Sequence, residues 1–203
     1  MRPNLFAFAS MTAALALAAP LTASAQMAPS PDFTKAPAGT YTLDKGHASV
    51  TLKLSHMGLS YYTMRFDKID ASYAYDPANP TASKVTVTID PKSIDTDNAA
   101  FNAEIADQFL DAAKYPAISF VSTAVKPGTG GRGVVEGNLT FHGVTKPVTL
   151  DVNFNGVGQG MRKETRMGFS AMTTIKRSDF GANKYVPLVG DNVTVLVETE
   201  FTK

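Results

Sequence analysis

GVVEGNLTFHGVTKPVTLDVNFN, residues 133–155, is two alternating runs around a turn. In the first run Val135, Leu139 and Phe141 share one face, with Glu136, Asn138 and Thr140 on the other. After the turn Val148, Leu150, Val152 and Phe154 point one way, and Thr149, Asp151, Asn153 and Asn155 the other. A period of two marks strands with one dry and one wet face, the pattern of antiparallel rather than doubly covered parallel sheets. Gly143 supplies positive φ in the connection, and Pro147 is expected where the return strand starts, a position that tolerates a missing N–H. The rest of the chain must supply what the dry face covers.

The same alternation recurs on both sides of this hairpin. Ala48, Val50, Leu52, Leu54 and His56 share a face of one run, and Tyr62, Met64 and Phe66 continue it in the next. Ile69, Ala71, Tyr73 and Tyr75 alternate on odd positions, so a bulge or turn is expected at Asp67-Lys68. Val85, Val87 and Ile89 form another run, Ile118 and Phe120 open another, and Met167, Phe169, Ala171, Thr173 and Ile175 another. Val193, Val195 and Val197 lead the last run to Phe201. Residues 97–114 form the one convincing helical stretch, with Asp97 or Asn98 as cap, Phe101, Ile105, Phe109 and Leu110 at helical spacing, and Tyr115-Pro116 as the stop. Phe109 and Leu110 are expected to hold this helix over a barrel mouth. Eight or more antiparallel strands with one helical insertion call for a sandwich or a barrel. The long strands favour a closed up-and-down barrel, which leaves no edges and at about eight strands can hold a small ligand.

The chain has 203 residues, net charge +1, no Cys and no Trp. One domain is the natural expectation. Near-neutral charge gives no case for nucleic acid, and the lack of Cys excludes disulfides, thiolate nucleophiles and zinc–thiolate sites. Residues 1–25 read as a signal peptide: Arg2, an apolar run to Ala19, then Ala23-Ser24-Ala25 as cleavage site, so export to the periplasm is expected. Residues 26–38, with Pro29, Pro31 and Pro37, read as an extended leader with little to bury, and residues 39–203 as the folded domain.

Residues with catalytic chemistry are few. His47, His56 and His142 lack metal-ligand spacing, no G-x-S-x-G elbow occurs, and residues 156–160, GVGQG, read as a hairpin turn. Glu104, Asp107 and Asp111 read as a solvated helix face. The stretch KRSD, residues 176–179, suits either an anionic head group or a rim ion pair. What remains is the interior, where large residues (Tyr62, Phe66, Tyr73, Phe120, Phe141, Phe154, Phe169) alternate with small ones (Ala48, Ala71, Gly137, Ala171). A solid core and a pocket are equally compatible with that mixture.

Five ordered motifs carry a family resemblance: YTLDKGH at 41–47, PAISFVST at 116–123, GNLTFHGVTKPVTL at 137–150, IKRSDFG at 175–181 and VGDNV at 189–193. Together they resemble the YceI-like family over about residues 39–203. The resemblance implies a lipocalin-like antiparallel barrel in the periplasm, binding a polyisoprenoid lipid or an isoprenoid quinone in its interior. Members are often dimers and are not established enzymes. The implied partners are an apolar isoprenoid lipid, a second copy of the chain and, transiently, a membrane; no metal and no cofactor beyond the lipid are expected. Two departures stand out. AFNAEI at 100–105 replaces the family's Arg-Asp-x-His-Leu segment, and Met64 stands where the family has Gly.

The interior set that follows from the alternation is Val50, Leu52, Leu54 and His56 from the first strand, Tyr62 and Phe66 from the second, and Tyr73, Val87 and Ile89 from the next two. Ile118, Phe120, Leu139 and Phe141 add to it, with Leu150, Val152, Phe154 and Phe169 beyond the turn and Phe109 from the helix. An apolar chain threaded there gains ~0.8 kcal/mol per CH₂ without needing a charged site. A periplasmic hydrolase and a filled-core interaction barrel are the rival readings.

Overall fold

The computed structural model describes residues 28–203; the signal peptide expected over residues 1–25 lies outside them. Ten strands form one sheet: β1 Gly39–His56, β2 Ser60–Phe66, β3 Ile69–Tyr75, β4 Lys84–Ile89, β5 Ile94–Asp95, β6 Ile118–Pro127, β7 Arg132–Phe141, β8 Val144–Gln159, β9 Thr165–Lys176 and β10 Val189–Thr202. Neighbours run antiparallel in the order β10-β9-β8-β7-β6-β4-β3-β1, and β10 pairs back onto β1. The circuit closes as an eight-stranded antiparallel barrel in which β2 and β3 share one position. Both pair with β1, β3 with its start (Thr42↔Ser72) and β2 with its end (Leu54↔Tyr62). Asp67-Lys68 joins them, and the two-residue β5 extends β2.

β1 serves as both ends of the barrel because it is eighteen residues long and carries a large bulge. Between Leu43↔Phe201 and Ala48↔Thr199, β1 advances five residues while β10 advances two. The surplus loops out at Asp44, Lys45, Gly46 and His47, bending the strand from one neighbour to the other.

The hairpin of residues 133–155 closes on Phe141↔Val144 with only His142 and Gly143 between. Both have positive φ, 51° and 76°, the type I′ geometry that matches strand twist. A Cβ on Gly143 would also lie 2.4 Å from the Tyr115 ring. The return strand starts at Val144, so Pro147 stands inside β8, not at its start. It is tolerated because antiparallel pairs alternate in type and Asn138↔Pro147, three steps from the Phe141↔Val144 pair that closes the turn, is a non-hydrogen-bonded one, while pairing with β9 begins only at Asp151. The missing N–H therefore points to an unpaired edge.

Three further expectations are corrected. The helix α1 is Ala99–Gln108, capped by the Asn98 side chain on the N–H groups of Ala100 and Phe101; Asp111, at φ 46°, ends the segment before Tyr115-Pro116. Residues 156–159 are strand, not hairpin turn: Gly156, at φ 152°, sits at a register shift against β9, and the reversal comes at residues 160–164. The leader buries more than its composition suggests. Ser30 pairs with Val157, Phe33–Lys35 forms a 3-10 turn, Ala36 is buried, and the Tyr75 hydroxyl donates to the Phe33 carbonyl at 2.8 Å.

Small residues are set opposite large ones. A Cβ on Gly137 would lie 2.3 Å from Phe120 Cζ and 2.6 Å from the Val121 carbonyl oxygen, so this glycine makes room for the Phe120 ring. At the other end of the chain Arg177 is buried and bonds four carbonyls: Gly190 at 2.9 Å, Ala182 at 2.6 Å, Lys184 at 2.9 Å and Val189 at 2.8 Å. It staples the loop between β9 and β10 to the rim. Burial draws its pKa below the usual arginine value, with Asp191 opposing. Asp191 itself accepts from the Ser178 N–H and hydroxyl.

Gly137→Val should cost roughly 1–3 kcal/mol in urea unfolding by overpacking. Arg177→Met should cost at least about 1–3 kcal/mol by leaving carbonyls of a packed loop without donors, with Arg177→Lys recovering only part, because an ammonium lacks the guanidinium fork.

Candidate ligand cavity

Alternation turns the apolar face of every strand inward, but the barrel is wider than those side chains fill. A single cavity of about 790 Å³ runs inside it, within the ~300–1,000 Å³ of small-molecule sites. Residues of the mid-barrel (Leu52, Val87, Leu139, Leu150, Val152, Val195) face inward yet stay only half-buried. In a solid core such residues would be sealed by their neighbours. The interior is therefore a cavity rather than a filled core.

One end is crowded with aromatic rings. Tyr73 contacts Phe169 at 5.4 Å and Phe201 at 5.9 Å between ring centres, and stacks on Tyr75 at 5.7 Å. Phe33 meets Phe154 edge-on at 6.3 Å. Tyr41 and Met167 below them are almost wholly buried, and the Tyr41 hydroxyl donates to the Pro37 carbonyl at 2.6 Å. Burial, with Tyr73 close by, pushes the Tyr75 phenol up to about 12, so it stays a neutral donor. The cavity also reaches the β6–β7 hairpin, where Lys126 and Arg132 line it and Lys126 pairs with Glu136.

The other end is the mouth, framed by the turn after β1, by α1 and by the loop before β10. Tyr62 meets Phe101 edge-on at 5.5 Å, and Phe109 meets Tyr185 at 5.7 Å. Phe109 and Leu110 line the cavity here, just past the end of α1, and Leu110 is buried. His56 sits exposed on the rim. Glu104, exposed on α1, also lines the mouth. Arg177 lines the same end, but its donors are committed to carbonyls. Neither a head-group anchor nor a rim ion pair describes it.

Every residue of the sequence-derived interior set lines this one cavity. Val50, Leu52, Leu54 and His56 do so from β1, Tyr62 and Phe66 from β2, Tyr73 from β3, and Val87 and Ile89 from β4. Ile118 and Phe120 do so from β6, Leu139 and Phe141 from β7, Leu150, Val152 and Phe154 from β8, Phe169 from β9, and Phe109 from beyond α1. Met64, at the family's glycine position, lines it too. The set omitted Phe33, Tyr75, Val193, Val195 and Phe201, all of which line the cavity. The last four lie on inward faces already marked by alternation. Phe33 is the one aromatic in the proline-rich leader, a signal that composition masked.

Asp44, His47 and Glu200 are the one group among the described residues with metal-ligand spacing. Arg166 already occupies its centre, donating from Nη1 to Asp44 at 2.7 Å and to Glu200 at 2.6 Å, and from Nε to Glu164 at 2.9 Å. Burial works to raise the Asp44 pKa, but bonds from His47, the Gly46 N–H and Arg166 hold it below the usual value. A fixed guanidinium opposes a cation here, so the cluster reads as an ion-pair clamp across the β1 bulge.

The geometry agrees with what the chain is similar to. A UPF0312 protein of Vibrio cholerae is 40% identical over 159 residues, covering 74% of this chain and 84% of that protein. One of Pseudomonas putida is 43% identical over 150 residues, covering 72% and 78%. Among solved structures, Burkholderia cenocepacia BcnA superposes with a TM-score of 0.69 at 28% identity, covering 78% of this chain and 98% of its own. A polyisoprenoid binding domain from Saccharophagus degradans shares the fold, with a TM-score of 0.61 at 17% identity over 80% and 97% of the two chains. The profile of the YceI-like domain spans residues 41–201, from the first buried tyrosine to the last buried phenylalanine, and the chain belongs to that family.

Proposed function

We propose that this protein is an exported carrier or sequestering protein, working in the periplasm, that holds the long apolar chain of a polyisoprenoid lipid or isoprenoid quinone inside its barrel. The half-burial of its inward mid-barrel residues around a 790 Å³ cavity carries the reading. Those walls are mostly Leu, Val, Ile and Phe, which offer no directional bonds but do offer burial at ~0.8 kcal/mol per CH₂. A forty-carbon tail would gross roughly 30 kcal/mol on that basis, well beyond the −18 to −21 kcal/mol ceiling of non-covalent affinity. Ordering the chain must offset a large part. The polyisoprenoid binding domain that shares this fold supports the ligand class. The family and its structural neighbours point to binding rather than catalysis. The N-terminal segment supports export: a charged start, an apolar run and the small-residue site ending at Ala25. The mixed rim of His56, Glu104 and Tyr185 is where a ligand's polar end would rest.

Native mass spectrometry of the purified protein, followed by solvent extraction, should release a prenyl lipid; a homogeneous apo mass from protein purified without detergent would contradict the proposal. Leu150→Trp adds volume to the wall without charge. It should sharply reduce the lipid-bound fraction while the delipidated protein melts near the wild-type temperature, because the ring enters open space. In a solid core the same change would cost ~1–3 kcal/mol. Asn153→Trp, exposed on the outer face of the same strand, should leave the bound fraction unchanged.

A further inference from the structure

One side of the outer surface around the mouth is apolar. Leu59 is 83% exposed and Leu188 62%, and Met57, Tyr61 and Tyr185 are each more than half exposed. These residues come from the turn after β1 with the start of β2, and from the loop before β10, which act as one lip. The Met57 N–H donates to the Leu188 carbonyl at 2.7 Å, tying the turn after β1 to the loop before β10, and the Val189 N–H donates to the Tyr185 carbonyl at 2.8 Å. Tyr185 belongs to both surfaces: it is exposed on the lip and lines the cavity. The apolar patch and the apolar interior are thus continuous. Two lysines flank it. Lys53 Nζ lies over the Tyr61 ring at 4.6 Å, and Lys184 Nζ over the Phe109 and Tyr185 rings at 5.4 Å and 5.2 Å. Neither forms an ion pair with a carboxylate among the described residues, and Lys184 bonds the Gln108 amide oxygen.

From this arrangement we infer that the lip formed by residues 57–61 and 184–188 docks on the surface of an anionic lipid bilayer, inserting Leu59 and Leu188 below the head groups. The inference rests on the carrier reading and adds where and how the ligand enters. Exposed leucines and methionine are costly in water and gain by entering the acyl region. Tyr61 and Tyr185 have the apolar body and polar tip that suit the head-group boundary. Lys53 and Lys184 have stems long enough to lie along the apolar rings while their ammonium groups meet lipid phosphates. Glu104 is the one carboxylate-bearing residue lining the cavity, and it belongs to α1, not to the lip. Docking in this pose presses the mouth against the phase that holds the ligand, so a lipid tail moves from bilayer to barrel without crossing water.

The chain has no Trp, so one introduced ring reports its own surroundings without background. Leu59→Trp should shift its emission to shorter wavelength on mixing with vesicles of phosphatidylethanolamine and phosphatidylglycerol, and brominated acyl chains should quench it. Asn153→Trp, far from the lip, should show neither change. The readout is local, so it does not depend on whether the N-terminal segment is retained. An unshifted Leu59→Trp spectrum would overturn the inference, as would a shift that grows with protein concentration in the absence of vesicles, since that marks self-association of the lip. Failure of docking remains distinct from failure of the carrier reading: a protein that takes up a detergent-supplied prenol while its Leu59→Trp ring stays in water is a carrier loaded by another route.

Discussion

The structure depends on the pairing of β1 with β10. An antiparallel sheet with one apolar face can hide it by packing on a second sheet or by curling until its edges meet. Here the edges meet, in a ladder from Thr42↔Thr202 to His56↔Val189. Closure leaves only short unpaired edges, along β8 before Asp151 and along β2 before Arg65, to seek another chain. It also fixes the width of the tube independently of the side chains that fill it. Once the backbone circuit is set at eight positions, the volume inside is whatever the inward residues leave over.

What they leave over is uneven. At the leader end Tyr41, Tyr73, Tyr75, Phe154, Phe169 and Phe201 crowd together, and Phe33 closes on them from outside the barrel proper. At the mouth Ile105, Leu110, Phe141 and Phe180 are buried beneath the helix and the last loop. Between these ends the walls are medium-sized aliphatics with open space in front of them. An aromatic cluster toward one end and a framed opening at the other suit a long chain that enters at the framed end. The stapling of the rim loop by Arg177 keeps that opening in shape without adding a charge to the interior surface, because the guanidinium is spent on carbonyl oxygens.

Much of this was legible in the alternation alone. Inward residues such as Val50, Leu150 and Phe169 follow from period two, because a strand has no other way to divide its side chains. The hairpin turn at His142-Gly143 follows from its residue types. Other features depend on tertiary contacts that local pattern does not encode. Pro147 is tolerated because of which edge of β8 is unpaired at that point, a fact about β9. The helix stops at Gln108 because Phe109 and Leu110 are drawn down onto the barrel and Asp111 turns away, although the residues that follow are acceptable helix formers. The leader folds onto β8 through Ser30 and Phe33, where a proline-rich composition argues for little burial. Arg177 was ambiguous because a buried arginine satisfied by carbonyls has no partner visible in its own neighbourhood of sequence. Whether the interior was open or filled was beyond the pattern, because it turns on the width of the closed circuit and not on which residues face in.

The central claim is that the cavity, and not the outer surface, receives an apolar chain. Methyl-labelled Leu and Val provide the most direct test, because the barrel carries them on both faces. On titration of delipidated protein with a polyprenol, the methyl signals of Leu139, Leu150, Val152 and Val195 should shift and saturate together, while that of Leu196, exposed on the outer face of β10, should stay in place. Saturating shifts confined to Leu196 and other outward methyls, with the interior set unmoved, would contradict the account.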